Sequence, residues 1–315
     1  MPPHLLPHAY FNGAFVPFES AKVSVATHAL QYGTAVFGGI RGYRDSGADR
    51  INIFRLDEHC RRFLRSAALL KIRLPLDAAA LQRIAVELTA RNAPATDVYL
   101  RPFAYKAGFD LTPTLEGVED GFVMYQLALG DYYAPRGLSV CVSSWQRVSD
   151  LAIPARGKIS GAYVNSALAK DDAAAQGFDE AILLNARGKV SEGSAANLFL
   201  VRDGVLVSPP TTADILEGIT RRTVMELARA LGLAVQEREV DRSELYAADE
   251  LFFCGTGAQI TPVVSVDRRP VGTGEPGPAT LRLREWFLQI VRGEVAEYRH
   301  WLTPVPVAAA SPAAG

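Results

Sequence analysis

Residues 156–169 read RGKISGAYVNSALA: Lys158 stands among glycines and other small residues, just ahead of a run that reads as a helix and carries Tyr163. An amine held against backbone and away from other cations sheds its proton more readily and can attack an aldehyde, which is the requirement for Schiff-base chemistry. A lone lysine in a glycine-rich turn also suits a solvated or salt-bridged side chain, so this stretch by itself leaves both readings open. The decision rests on what accompanies it along the chain.

Three further stretches bear on it. NARGKVSEGSAANLFLV, residues 185–201, sets Glu192 between a hairpin turn and a strand. A carboxylate held there by backbone needs a positive partner, and a protonated pyridine nitrogen is one candidate; a solvated turn glutamate is the plainer one. In LEGITRRTVMELARALG, residues 216–232, Val224, Leu227, Ala228 and Leu231 form an apolar helical stripe. Gly218, Ile219 and Thr220 then sit at the helix entrance, where unpaired N–H groups and the helix field favour an anion such as phosphate, although every helix start offers such donors. ELFFCGTGAQITPV, residues 250–263, is an apolar strand that breaks at Gly255-Thr256-Gly257-Ala258. Small residues let backbone N–H groups approach a ligand and the Thr256 hydroxyl can donate to an oxyanion; a tight turn accounts for the same residues. Arg62, on an earlier helix, offers a two-pronged phosphate contact or a plain solvated face.

The whole composition narrows the field. With 315 residues and 49% apolar content the chain can bury one large core or two ordinary ones, so disorder is excluded as the default. A formal net charge of -1, with both signs intermixed, supplies no field for a nucleic-acid backbone. Cys60, Cys141 and Cys254 are widely spaced and form no Cys-x-x-Cys pair, which argues against a disulfide framework and a zinc ribbon. The histidines form no metal-ligand array either, so no metal site is expected. No stretch has the roughly 18 or more apolar residues of a membrane helix, and the start shows no secretory pattern. A cytoplasmic protein acting on small molecules, with no membrane or nucleic-acid partner, is the expectation.

Local signals divide the chain into two α+β domains. Asn12-Gly13 marks a hairpin, 57–70 and 77–91 carry helical spacing, and VYLRPFAYKAG and GFVMYQLAL read as strands. GDYYAPRG is turn-rich, which places a smaller domain at 1–131, a linker at 132–137, a larger domain at 138–302, the one that the resemblance given below makes cofactor-binding, and a loose tail at 303–315. In the second domain the strands SVCVSSW, AILLN, NLFLV and ELFFCG alternate with two helices.

Taken in order, HALQYGTAVFGGIR, GKISGAY, SEGSAANLF, GITR and CGTGAQITPV resemble the fold-type IV pyridoxal-phosphate enzymes, most closely the branched-chain amino-acid aminotransferases, over about Tyr10 to Trp301. The resemblance implies two domains with pyridoxal 5'-phosphate between them and a homodimer or larger assembly. It implies Lys158 as the catalytic Schiff-base lysine, Glu192 on the pyridine nitrogen and Tyr163 on the phenolic oxygen. The phosphate set is then Arg62, the Ile219 and Thr220 backbone, and Thr256. Around the amino donor it implies Tyr32, Phe37, Tyr99, Arg101, Tyr132, Thr256, Gly257 and Ala258, with Arg101 available to the distal carboxylate of glutamate. The activity implied is reversible transfer of an amino group from a branched-chain L-amino acid to 2-oxoglutarate.

Two positions depart from the family. VFGGIR puts Gly38 where typical members have VFEGIR, and Leu129 stands where some members place tryptophan. A lost carboxylate and lost bulk suggest a roomier, more neutral site that accepts R-configured primary amines, and D-amino acids are a further alternative donor class. A non-catalytic binding protein of the same fold would lack amino-group transfer, and the intact lysine, acid and phosphate set speaks against it.

Overall fold

The computed structural model describes residues 5–130 and 136–307. Tyr132 and most of the 132–137 linker lie outside the described residues, as do 308–315. The chain divides into two compact units, the first made of Met1–Gly130, Gly157–Gly161 and Leu288–Gly315, the second of Asp131–Arg156 and Ala162–Phe287. The short loop bearing Lys158 therefore packs with the first unit although the chain around it belongs to the second.

In the first unit, eight strands form an antiparallel sheet among the described residues. Its order is Leu302–Pro306, Arg50–Phe54, Ile40–Arg44, Val98–Lys106, Asp120–Ala128, His8–Phe11 and Ala14–Pro17, with Ala35–Phe37 paired to Val98–Lys106 off this path. The Asn12-Gly13 turn closes the first hairpin with positive φ at both residues, 43° and 104°, the geometry whose twist matches the flanking strands. Val98, Leu100, Pro102 and Ala104 alternate into the core, which leaves Tyr99, Arg101 and Phe103 together on the other face. Helix Leu56–Leu69 buries Leu56, His59, Cys60, Phe63 and Ala67 at helical spacing, and Asp57 and Glu58 occupy its first turn, where the helix field favours acids. Helix Ala78–Asn92 starts where the Asp77 carboxylate accepts the Ala80 N–H at 2.7 Å.

Residues 303–307, expected to belong to a loose tail, are ordered. Leu302–Pro306 is an edge strand paired antiparallel with Arg50–Phe54, and Val305 and Val307 are buried. Its Pro residues are tolerated because one side of an edge strand needs no ladder bonds. The return is fixed by Arg55, which lies 3.9 Å over the Trp301 ring and whose N–H donates to the Trp301 carbonyl at 2.7 Å.

The second unit is built on a nine-stranded mixed sheet among the described residues. Its order is Val190–Gly193, Glu180–Leu184, Leu138–Gln146, Gln259–Val266, Glu250–Gly255, Asn197–Arg202, Val205–Ser208 and Ala234–Glu237, with Arg269–Pro270 added to Gln259–Val266. Central strand Glu250–Gly255 reads as a continuous apolar run because both of its faces are covered: Leu251, Phe252, Phe253 and Cys254 are all buried. Phe252 stacks on Phe199 of the adjacent strand with ring centroids 5.1 Å apart. Leu198, Leu200, Leu251, Phe253 and Val263 share one core cluster, while Ala169 and Ala173 of helix Tyr163–Ala175 pack with Cys141, Ala181 and Leu183 in another. Both units combine a sheet with a few segregated helices, the α+β class expected. No helix among the described residues is long and apolar enough to cross a membrane.

Candidate functional site

Lys158 is fixed by its backbone. Its N–H donates to Ser66 Oγ at 3.2 Å, its carbonyl accepts the Phe37 N–H at 3.0 Å, and Ile159 bridges Val36. The loop can lie this close to the Gly33–Phe37 segment because neither crossing residue has a side chain. A Cβ on Gly33 would meet the Gly161 Cα at 2.9 Å, and Gly33 has φ +68°, so any other residue would be strained twice. The glycines of QYGTAVF and KISGAY are thus the two halves of one contact. With the main chain held, the Lys158 ammonium sits 5.0 Å from the centre of the Phe37 ring.

The same clamp reaches Arg62. Ser66 Oγ, which receives the Lys158 N–H, donates to the Arg62 carbonyl one helical turn back at 3.1 Å. Arg62 is buried on helix Leu56–Leu69, and one turn before it lies His59, 4% exposed, with a buried Nδ1 that has no hydrogen-bond partner among the described residues. Burial pushes the His59 imidazole well below its ordinary pKa, and the positive charges of Arg62, Lys158 and Arg55 push it the same way.

His59 therefore stays neutral in the fold while the unfolded chain takes up a proton on acidification. The unfolded state binds more protons than the folded one as pH falls below the unperturbed value of about 6.5, so this residue makes stability decline there, by at most about 1.4 kcal/mol per pH unit. His59→Gln is expected to flatten the decline in unfolding free energy between about pH 6.5 and 5. Denaturant titrations across that range check it, and an unchanged slope would show that the imidazole is not held neutral.

Phe37, Tyr99 and Arg101 come together in the first unit. The Arg101 guanidinium lies 4.6 Å over Phe37 and 5.1 Å over Tyr99, and its buried Nε has no hydrogen-bond partner among the described residues. Gly39 makes room for the Tyr99 hydroxyl, which a Cβ there would meet at 1.9 Å. Tyr32 is engaged differently: its hydroxyl donates to the Leu111 carbonyl, its ring packs on His28, and it is 39% exposed.

Gly38 leaves no hollow. Pro102 Cγ stands 2.5 Å from where a Cβ would be, and the Gly38 N–H donates to the Pro102 carbonyl at 2.7 Å. The roomier site expected from this glycine has no space at this point, because a neighbouring ring fills it. Gly38→Ala is expected to destabilise the protein by about 1–3 kcal/mol through overpacking against a rigid ring. Chemical denaturation measures this, and wild-type stability would mean that the strand bearing Pro102 yields.

In the second unit Glu192 is 5% exposed and held on three sides. Arg147 Nη2 lies 3.0 Å from one carboxylate oxygen, and the other accepts Asn197 Nδ2 at 2.8 Å and the Leu216 N–H at 3.2 Å. A solvated turn glutamate is thereby ruled out. Its strand ends in a turn closed by Gly193 N–H to the Ala196 carbonyl at 2.8 Å, and a Cβ on Gly193 would press on the Phe253 ring at 2.8 Å.

Helix Ile219–Ala230 begins at Gly218 without a side-chain cap, and Ile219 and Thr220 are buried in its first turn. The neighbouring Arg221 is not an anion ligand in waiting: it is committed to Ser208 Oγ, the Pro209 carbonyl and Glu237. Thr256, Gly257 and Ala258 form the turn between two antiparallel strands, closed by the Gly255–Gln259 pair, and Ala258 accepts the Thr261 hydroxyl at 2.6 Å. Tyr163 is the first residue of helix Tyr163–Ala175 and is half-buried.

A phosphorylated aromatic aldehyde with a ring nitrogen needs a primary amine, an acid and an anion cradle. The residues fit it. The first unit offers Lys158 and Arg62, together with two buried atoms that lack a partner among the described residues, His59 Nδ1 and Ser160 Oγ. The second offers a buried carboxylate, an uncapped helix start and a small-residue turn. Ser66, His59, Arg147 and Asn197 are the neighbours that the local motifs did not reveal. The only sequence trace of Asn197 was its place at the head of NLFLV, and Ser66 and Arg147 carried none, since their partners lie far away in the chain. The three cysteines are free and buried, and burial pushes the Cys60 thiol up to about 12 and raises Cys141 and Cys254 as well, so none is poised as a nucleophile.

Residues 36–266 match the family Amino-transferase class IV. The chain is 44% identical over 303 residues to a probable branched-chain-amino-acid aminotransferase of Synechocystis, covering 96% of this chain and 98% of that one. Among solved structures it is similar to the branched-chain aminotransferase of Thermoproteus uzoniensis with norvaline, at TM-score 0.91 and 40% identity over 95% of this chain and 99% of the other. It is also similar to the branched-chain amino acid aminotransferase of Thermobaculum terrenum in its PLP-bound holo-form, at TM-score 0.91 and 38% identity over 96% and 99% of the two chains. The chain belongs to the branched-chain amino-acid aminotransferase family of class IV aminotransferases.

Proposed function

We infer that this protein is a pyridoxal-phosphate-dependent aminotransferase that moves the amino group of a branched-chain L-amino acid to 2-oxoglutarate, reversibly, giving a 2-keto acid and L-glutamate. The observation that carries this reading is Lys158, locked through both backbone groups beside Arg62 and His59 in a chain of this family. When bound, the cofactor supplies an aldehyde for the amino group and a ring that takes up electrons from the substrate. Lys158 is the amine that would hold the cofactor's aldehyde, and the same Nζ would carry a proton off the substrate α-carbon and return it. Glu192 keeps a proton on the ring nitrogen, and Tyr163 donates to the phenolic oxygen. Arg62, the Ile219 and Thr220 N–H groups and Thr256 bind the phosphate.

For the donor side chain, Phe37 and Tyr99 provide apolar walls, joined by Tyr32, Tyr132, Gly257 and Ala258 in this reading. Arg101, whose Nε has no partner among the described residues, receives the distal carboxylate of glutamate. We also propose a cytoplasmic homodimer or larger assembly that needs no nucleic acid or membrane. Val25, Leu30, Phe109 and Leu111 of the first unit are 65–86% exposed, more apolar surface than a monomer gains from showing, and light scattering on the purified protein checks the assembly.

The direct test pairs L-leucine, D-alanine and R-1-phenylethylamine as donors with 2-oxoglutarate, following amine loss and glutamate formation together. L-Leucine is expected to turn over fastest. Preference for either of the other donors would overturn the assignment of substrate while leaving the cofactor chemistry in place.

A further inference from the structure

Asn197 opens the strand Asn197–Arg202 and is 5% exposed, so its amide must be satisfied within the protein. Both donors are used: Nδ2 donates to Glu192 at 2.8 Å and to the Leu216 carbonyl at 2.9 Å. The Leu216 N–H returns to the same Glu192 oxygen at 3.2 Å, which closes a ring of three groups. The amide oxygen lies against Gly218, where a Cβ would stand 2.0 Å from it. Gly218 is the cap of helix Ile219–Ala230. One side chain thus touches the acid on one hand and the segment entering that helix on the other.

We propose that Asn197 is a positioning residue that fixes Glu192 relative to the start of helix Ile219–Ala230, so that the acid and the phosphate donors keep the spacing that one pyridoxal phosphate requires; this rests on the cofactor reading above. Orientation is the core of the function. An amide can donate to both a carboxylate and a carbonyl, whereas a carboxylate in its place has no N–H to offer either and sets a second negative charge beside Glu192. Gly218 completes the device, since any side chain there would drive the amide from its seat. Arg147 stands on the far oxygen of Glu192 and holds the charge, not the spacing.

The test uses the full-length apoprotein, with pyridoxal 5'-phosphate as the probe. Asn197→Asp is expected to raise the Kd for the cofactor about tenfold or more, the loss expected of a hydrogen bond to a charged group. The pH midpoint of the lysine-bound cofactor's absorbance is read in Gly218→Ala, which displaces the amide without adding charge, and should move there in the direction that Glu192→Gln moves it. In the Glu192→Gln background Asn197→Asp should add less than about threefold to the Kd, because a group that acts through another is not additive with it. A purely structural asparagine would lower the apoprotein Tm and leave the Kd of the folded Asn197→Asp variant and the midpoint of Gly218→Ala where they were, or give additive effects; either result overturns the proposal. Should Asn197→Asp not fold, Gly218→Ala displaces the amide without changing any charge, and a wild-type Kd and midpoint there overturns the proposal equally. Failure of the underlying reading looks different: wild-type protein itself would show no Lys158-dependent cofactor binding.

Discussion

Replacing Lys158 with alanine is expected to lower amino-group transfer by about 10^4-fold or more, the upper range for removing a positioned proton carrier. The effect is assigned to chemistry because the local fold does not depend on the side chain. The loop is held by the Lys158 N–H to Ser66, the Lys158 carbonyl to Phe37 and the Gly33–Gly161 contact, all of which alanine retains. What disappears is the amine lying over the Phe37 ring. The measurement is glutamate formation from L-leucine and 2-oxoglutarate by wild type and variant, alongside borohydride reduction and mass analysis. The wild-type peptide containing residue 158 should gain the mass of the reduced cofactor, and the alanine variant should have the wild-type Tm. Cofactor fixed to another lysine, or full transfer by the variant, would end the mechanism.

How much of this could be read from the chain depends on the range of each interaction. The helices at 56–69 and 78–92 were legible because their apolar spacing is local, as is Asp57 in the first turn of the earlier one. The Asn12-Gly13 hairpin was legible for the same reason. The strand Leu302–Pro306 was not, since its prolines and small residues read as a tail and only pairing with Arg50–Phe54, some 250 residues away, makes it ordered. Gly38 shows a subtler limit. A missing side chain reads as added space, but neighbouring Pro102 comes from a strand more than 60 residues on and occupies it. Around the candidate site, Lys158, Glu192 and the Ile219 helix start announced themselves through glycine spacing and turn residues. Ser66, Arg147 and Asn197 did not, because their value lies in partners 92, 45 and 19 residues distant: the Lys158 N–H, the Glu192 carboxylate and the Leu216 carbonyl.

Glu192→Ala is expected to weaken both the fold and the reaction, and the two losses separate by comparison with Glu192→Gln. In the wild type the carboxylate is 5% exposed and neutralises Arg147, whose side chain is 12% exposed and donates through Nε to the Asp214 carbonyl. Alanine leaves that guanidinium nearly buried without its counter-ion and strands the Asn197 and Leu216 donors. Breaking such a pair costs about 3–5 kcal/mol, and the slight exposure of Arg147 places the expected value near the lower end. Glutamine keeps the volume and one acceptor oxygen, so its stability loss should be smaller, about 1.5–3 kcal/mol for weakened bonds to a former charge. For catalysis the order is governed by charge instead of volume. Neither residue can hold a proton on a ring nitrogen as a carboxylate does, so both variants should lose roughly 10^2-fold or more in kcat, the scale of removing one electrostatic stabiliser. Urea denaturation of the apoproteins and turnover with L-leucine, run on the same preparations, distinguish the outcomes. A glutamine variant with wild-type turnover would show that the ring nitrogen does not depend on this acid, and Glu192 would then be only a structural partner of Arg147, Asn197 and Leu216.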